Sequence, residues 1–288
     1  MRCPASKAPG LLAGGLLILG SSLFAANASA HQFWLQPEDF RPGPEGELSA
    51  RLLVGEDMKG AAFPYLSHRF ERFEIARAAK VSAVSGTEGQ DPALALDLDG
   101  AGLISVAYQS RPDRADFIED WDTFEAYLLA EGLDWVVEAH AERGLSRSAF
   151  AELYTRCAKT LVQSGSPLPG QKDVVFGLPF EFVALSNPYA MTGEDSLSVQ
   201  LLWLGEPASG VQVTLLRKAE RLEKTTLFSD TQGRVDIPLA GGGEILLSAV
   251  HMEALARGEE QQDSEPVWAS HWASLSFSGP LEEGEAGQ

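Results

Sequence analysis

The chain has 288 residues, with 22 Lys and Arg against 41 Asp and Glu, for a net charge of −19. A surface this acidic repels nucleic acid and anionic lipid, so neither is an expected partner. Only two cysteines are present, Cys3 and Cys157, which excludes a disulfide-built scaffold and leaves the fold to rest on buried apolar surface.

Residues 1–30 read as a secretory signal peptide. Arg2 and Lys7 give a positive start, Leu11 to Ala26 is apolar, and Ala28-Ser29-Ala30 supplies the small-x-small cleavage pattern. Cleavage there predicts a periplasmic protein whose first residue is His31. The mature chain keeps 20 basic and 41 acidic side chains, a net charge near −21. No later segment is long and apolar enough to read as a membrane span, so none is expected after signal cleavage.

Residues 31–112 predict an N-terminal β-sandwich domain. Short strands are expected at 32–35, 47–54, 69–75, 80–84, 94–98 and 103–108, separated by Gly and Pro clusters. Residues 113–172 predict a helical insert and linker. Phe117, Trp121, Phe124 and Leu128 recur at helical spacing, as do Leu133, Val136, Val137 and His140, and a third stripe is formed by Phe150, Leu153, Tyr154, Cys157 and Leu161. Residues 173–279 predict a C-terminal Ig-like sandwich with strands at 180–185, 197–204, 211–216, 225–228, 233–239, 244–252 and 268–277. Residues 280–288 form a polar tail, expected to be disordered. The fold class is therefore mainly β: two β-sandwich domains, Ig-like or carboxypeptidase-regulatory-like, with a helical insert.

Three stretches carry a family resemblance. His31-Gln32-Phe33-Trp34-Leu35-Gln36-Pro37 directly follows the leader. Gly205-Glu206-Pro207-Ala208-Ser209-Gly210-Val211 turns into a strand, and Ser229-Asp230-Thr231-Gln232-Gly233-Arg234-Val235 is a partner turn, followed by Leu247 to Met252. Together they resemble the domain-of-unknown-function family 4198, over most of the mature chain. That family includes proteins described as periplasmic components of cobalt or nickel ABC-type uptake systems, similar to NikM. The resemblance implies a metal ion as ligand and an inner-membrane ABC-type transporter as partner.

The histidines are the candidate ligands. A first-residue His31 offers the α-amine and a ring nitrogen to one metal, a set that copper(II) favours. Nickel sites of the amino-terminal type use a His at the second or third position, whereas Phe33 stands third here. His251 ends a strand on the face of Ile245, Leu247 and Ala249 and is the expected partner of His31. His271 lies on the face of Ala273, Leu275 and Phe277, and His68 follows Pro64-Tyr65 in a loop. His140 and Cys157 sit on apolar stripes and read as packing. No Gly-x-Ser-x-Gly, P-loop or dinucleotide fingerprint is present. The expectation is a non-enzymatic binding protein for nickel, cobalt, copper or zinc. The alternatives are a copper-dependent oxidative enzyme built on an N-terminal histidine brace and a structural Ig-like module.

Overall fold

The computed structural model describes residues 32–78, 80–118, 120–256 and 265–280. The leader, His31 and the tail from 281 lie outside them. In chain order the strands are β1 (Gln32–Pro37), β2 (Glu47–Glu56), β3 (Lys59–Phe63), β4 (Phe70–Arg77), β5 (Lys80–Ala83), β6 (Leu94–Asp97) and β7 (Gly102–Ser110). Then follow β8 (Asp113–Ile118), the helices α1 (Trp121–Ala130) and α2 (Trp135–Glu142), and β9 (Ala149–Ser164). The remainder is β10 (Phe180–Ala184), β11 (Ser196–Trp203), β12 (Glu206–Pro207), β13 (Gln212–Lys218), β14 (Leu222–Phe228), β15 (Arg234–Pro238), β16 (Glu244–Ala254) and β17 (Pro266–Ser278).

A nine-stranded sheet in the order β14-β13-β16-β17-β9-β7-β4-β5, with β8 also on β9, runs through the whole chain. Two four-stranded sheets cover it, one on each face. The first, β1-β2-β3 with β6 on β2, closes over β4, β7 and β9 and encloses Leu35, Leu52, Phe73, Val106 and Val162. The second, β10-β11-β12 with β15 on β11, closes over β13, β16 and β17 and encloses Phe180, Leu201, Leu215, Leu247 and Phe277. The molecule is thus mainly β, two Ig-like sandwiches that share one central sheet. The Ser229–Val235 turn is held for a steric reason. Gly233 has φ +70°, and a Cβ there would lie 2.5 Å from the Leu201 carbonyl oxygen.

One expected element is corrected. The segment 149–164, read as a third helix, is β9, the strand at the centre of the large sheet. Both of its faces are covered: Ala158 and Val162 pack under the first small sheet, and Leu161 under the second. A strand buried on both sides loses the period-2 alternation and becomes a nearly continuous apolar run. Its Ala, Glu, Leu, Arg and Lys residues are also good helix formers, so a 3.6-residue stripe could be drawn through it. The segment 113–172 therefore contributes two short helices but also β8 and β9.

The helices cap one end of the large sheet. Trp121, Phe124, Leu128 and Val136 pack with Phe150, Val250 and Trp268. His140 is fully buried there. Trp268 Nε1 donates to His140 Nδ1 at 3.0 Å, and His140 Nε2 donates to the Ser146 carbonyl at 3.1 Å. One nitrogen accepts and the other donates, which fixes a neutral ring and leaves neither free for a metal.

Candidate metal centre

His251 on β16 and His271 on β17 are direct antiparallel register partners. Register partners share a face, and here it is the face under the second small sheet, continuing the rows Leu247–Ala249 and Ala273–Leu275. That cover stops at Phe180 and Trp203, which pair where β10 begins and β11 ends. Trp203 stacks on His251 at 4.1 Å between centroids and meets His271 edge-on at 4.6 Å. The tryptophan therefore clamps both rings at the sheet end.

Glu253 lies two residues beyond His251, hence on the same face. Its Oε2 is 3.4 Å from His271 Nε2. Burial pushes the pKa of both histidines down, against the attraction of Glu253, so both rings are neutral at pH 7. His271 Nδ1 is buried with no hydrogen-bond partner. Ring packing by Trp203 together with the Nε2 contact to Glu253 orients this imidazole. The His251 ring makes no hydrogen bond among the described residues.

The spacing has a chemical reading. Two donors held at about 2.1 Å from one tetrahedral ion are about 3.4 Å apart. His271 Nε2 and Glu253 Oε2 stand at that separation, with His251 on the facing strand as a third donor. No group of three or more His, Cys, Asp or Glu side chains is preassembled for a metal among the described residues. A metal would complete this site by turning the His251 ring or the Glu253 side chain, which is half-exposed.

Of the other two expected ligands, only His68 is among the described residues, and it falls elsewhere. His31 lies outside the described residues. The strand that follows it, β1, crosses the opposite face of the large sheet. Ser274 Oγ donates to the Phe33 carbonyl at 2.7 Å, Ser276 Oγ to the Leu35 carbonyl at 2.5 Å, and Gln32 Nε2 to Ser248 Oγ at 3.2 Å. His68 sits in the one-turn 3-10 helix Ser67–Arg69 and lines a cleft with Phe33 at the end of the first sandwich. Cys157 is buried and its thiol is pushed up to about 12 by desolvation, which makes it inert at neutral pH.

A family model described as "Domain of unknown function (DUF4198)" matches residues 28–253. The chain belongs to this DUF4198 family. The matched span includes His68, His251 and Glu253 and stops before His271 and the rest of β17. No curated protein matches the sequence. Among solved structures the chain is similar to the "D0-D1 domain of Intimin", at 14% identity, 84% coverage of this chain, 96% of that chain and a TM-score of 0.20. It is also similar to a "tetra-tandem repeat in extending region of large adhesion protein", at 13% identity, 87% and 50% coverage and a TM-score of 0.20. No helix among the described residues is long and apolar enough to cross a membrane.

Sequence reasoning had His251 and His271 on their correct faces but missed Glu253 and the clamp. The His251-x-Glu253 spacing was the available signal, since on a strand it places both donors on one face.

Proposed function

We propose that this DUF4198 protein binds a divalent transition metal, nickel, cobalt, copper or zinc, through His271, Glu253 and His251. The observation that carries this reading is the His271 Nε2 to Glu253 Oε2 spacing of 3.4 Å beside a register-paired, neutral His251. In this reading the protein works in the periplasm as the binding component of a nickel or cobalt uptake system and passes the ion to an inner-membrane ABC-type transporter. The partly open sheet end suits capture and release better than a closed structural site would.

The test is isothermal titration of the purified mature protein with Ni²⁺, Co²⁺, Cu²⁺ and Zn²⁺. His271→Ala and His251→Ala are each expected to weaken binding by about 10- to 100-fold, with circular dichroism unchanged. Because burial holds both imidazoles below their ordinary pKa, affinity should persist to pH values under ~6.5 and fall only below that. A second titration uses protein with one extra residue before His31. If that extension abolishes binding while the double His251→Ala, His271→Ala variant binds as tightly as the parent, the centre described here is wrong and the terminal chelate is the site.

A further inference from the structure

A cavity lies on the opposite face of the shared sheet from the histidine pair and one strand over, where Tyr154 and Arg156 flank Thr155, the register partner of His271. Its origin is local. Pro112 has no N–H to donate, so the ladder along β9 breaks between β7, which ends at Ser110, and β8, which starts at Asp113. At the break the Arg156 backbone N–H donates to Ser110 Oγ at 2.9 Å instead of to a strand carbonyl. The gap opens into a cleft of about 200 Å³ under the edge of the first small sheet.

The lining is unusual for so acidic a chain. Arg69, Arg111 and Arg156 converge on the cleft with Asp113 as the single carboxylate. Asp113 is taken by Arg69, at 3.4 Å. Arg156 makes no ion pair among the described residues. Its guanidinium lies 4.8 Å from the Tyr154 ring centroid and 5.6 Å from that of Phe33. Packed against two aromatic rings, the Arg156 side chain lines the cavity, and Arg111 stands exposed at the rim.

We propose that this cleft binds a small organic anion bearing one carboxylate on an apolar body. The planar guanidinium of Arg156 supplies a two-pronged set of donors that matches a carboxylate, and Arg111 adds charge from the rim. The rings of Phe33, Phe63, Tyr108 and Tyr154 supply apolar wall. A phosphate dianion would find the same charge but no use for that wall, and Asp113 opposes its second charge. The site is separate from the histidine pair and does not depend on the metal reading.

Benzoate is the probe, titrated into the mature protein and followed by calorimetry and thermal shift, with inorganic phosphate as the comparison. Saturable benzoate binding with a Kd of about 1 mM or tighter is expected. Arg156→Gln and the exposed Arg111→Gln should each weaken it about 10-fold. Arg111→Gln sits at the surface, so its result stands even if Arg156→Gln fails to fold. Three results would overturn the proposal: no saturable benzoate binding below about 10 mM, benzoate binding untouched by Arg111→Gln, or phosphate bound more tightly than benzoate.

Discussion

Replacing Lys159 by Met is expected to cost about 3–5 kcal/mol of stability. Lys159 points from the central strand β9 into the interior with 1% of its side chain exposed. Its Nζ meets Asp173 Oδ2 at 2.8 Å, Glu181 Oε1 at 3.0 Å and the Val174 carbonyl at 2.9 Å. The two carboxylates are themselves fully engaged. Asp173 accepts from Ser105 Oγ and the amides of Val174 and Ala184, while Glu181 accepts from the amides of Phe176, Gly177 and Leu178. The cluster ties β7, β9, β10 and the strap from 173 to 178 together at the place where the two sandwiches join. Methionine matches the aliphatic stem of Lys159 but leaves two buried carboxylates facing each other without a cation. Desolvation then goes uncompensated, which is why breaking such a group costs more than the intact group contributes. Urea unfolding at pH 7 measures the effect. The triple variant Lys159→Met, Asp173→Asn, Glu181→Gln should recover only part of the loss: it removes both buried charges, but each amide keeps one acceptor oxygen where the carboxylate used two, so one backbone N–H at each position loses its acceptor. A Lys159→Met loss below about 1 kcal/mol, the range of an exposed pair, would show that the cluster does not hold the join.

That join is also where the sequence was least legible. Strands bounded by Gly and Pro clusters, such as β2, β6, β11 and β16, show their limits in one dimension because turn residues mark them. In β9 every neighbour is remote in sequence: β7, β8 and β17 flank it, and sheets on both faces cover it. Nothing local marks such a strand, and a buried Lys in its middle reads as a solvated helix position until Asp173 and Glu181 are seen around it. The candidate sites divide the same way. Alternation along β16 and β17 was enough to place His251 and His271 on apolar faces. Their mutual register depends on how 254 and 266 are bridged, so their pairing could not be read. Arg69, Arg111 and Arg156 are spread over nearly ninety positions. Only the break at Pro112 brings them to one cleft.

The Glu152→Gln variant is expected to be more stable than the parent at pH 8, by on the order of 3 kcal/mol, and nearly equal to it at pH 4.5. Glu152 is buried on β9 beneath the helices, where Tyr127 Oη lies 3.4 Å from its Oε1 and Ser270 Oγ makes a short hydrogen bond to the same atom. Trp272 Nε1 donates to Ser270 Oγ at 3.0 Å, and the Tyr127 ring stacks on Trp272. Among the described residues no cation offsets the carboxylate. Desolvation pushes its pKa up to about 7, with the hydrogen bonds from Ser270 and Tyr127 pulling only partly the other way. The sign follows from proton uptake. The folded chain holds this proton up to about pH 7, whereas the unfolded chain releases it near ~4.3. The stability associated with the protonated group is complete below the unfolded pKa and is lost as pH rises through the folded one. A glutamine has the shape and donor of the neutral acid and cannot ionise, so it escapes that loss. His251 and His271, whose pKa values are lowered by burial, act in the opposite sense, withdrawing stability as pH falls below ~6.5. They are present in both proteins and cancel in the difference. Glu131, raised to about 7 by burial, likewise stays in both. Urea unfolding of parent and variant at pH 4.5, 6, 7 and 8 gives the difference directly. A gap that grows between about pH 4.5 and 7 and then levels is the expected result. A gap that stays constant over the whole range would mean that Glu152 does not change its protonation on folding, and that the helices cover it as an ionised group.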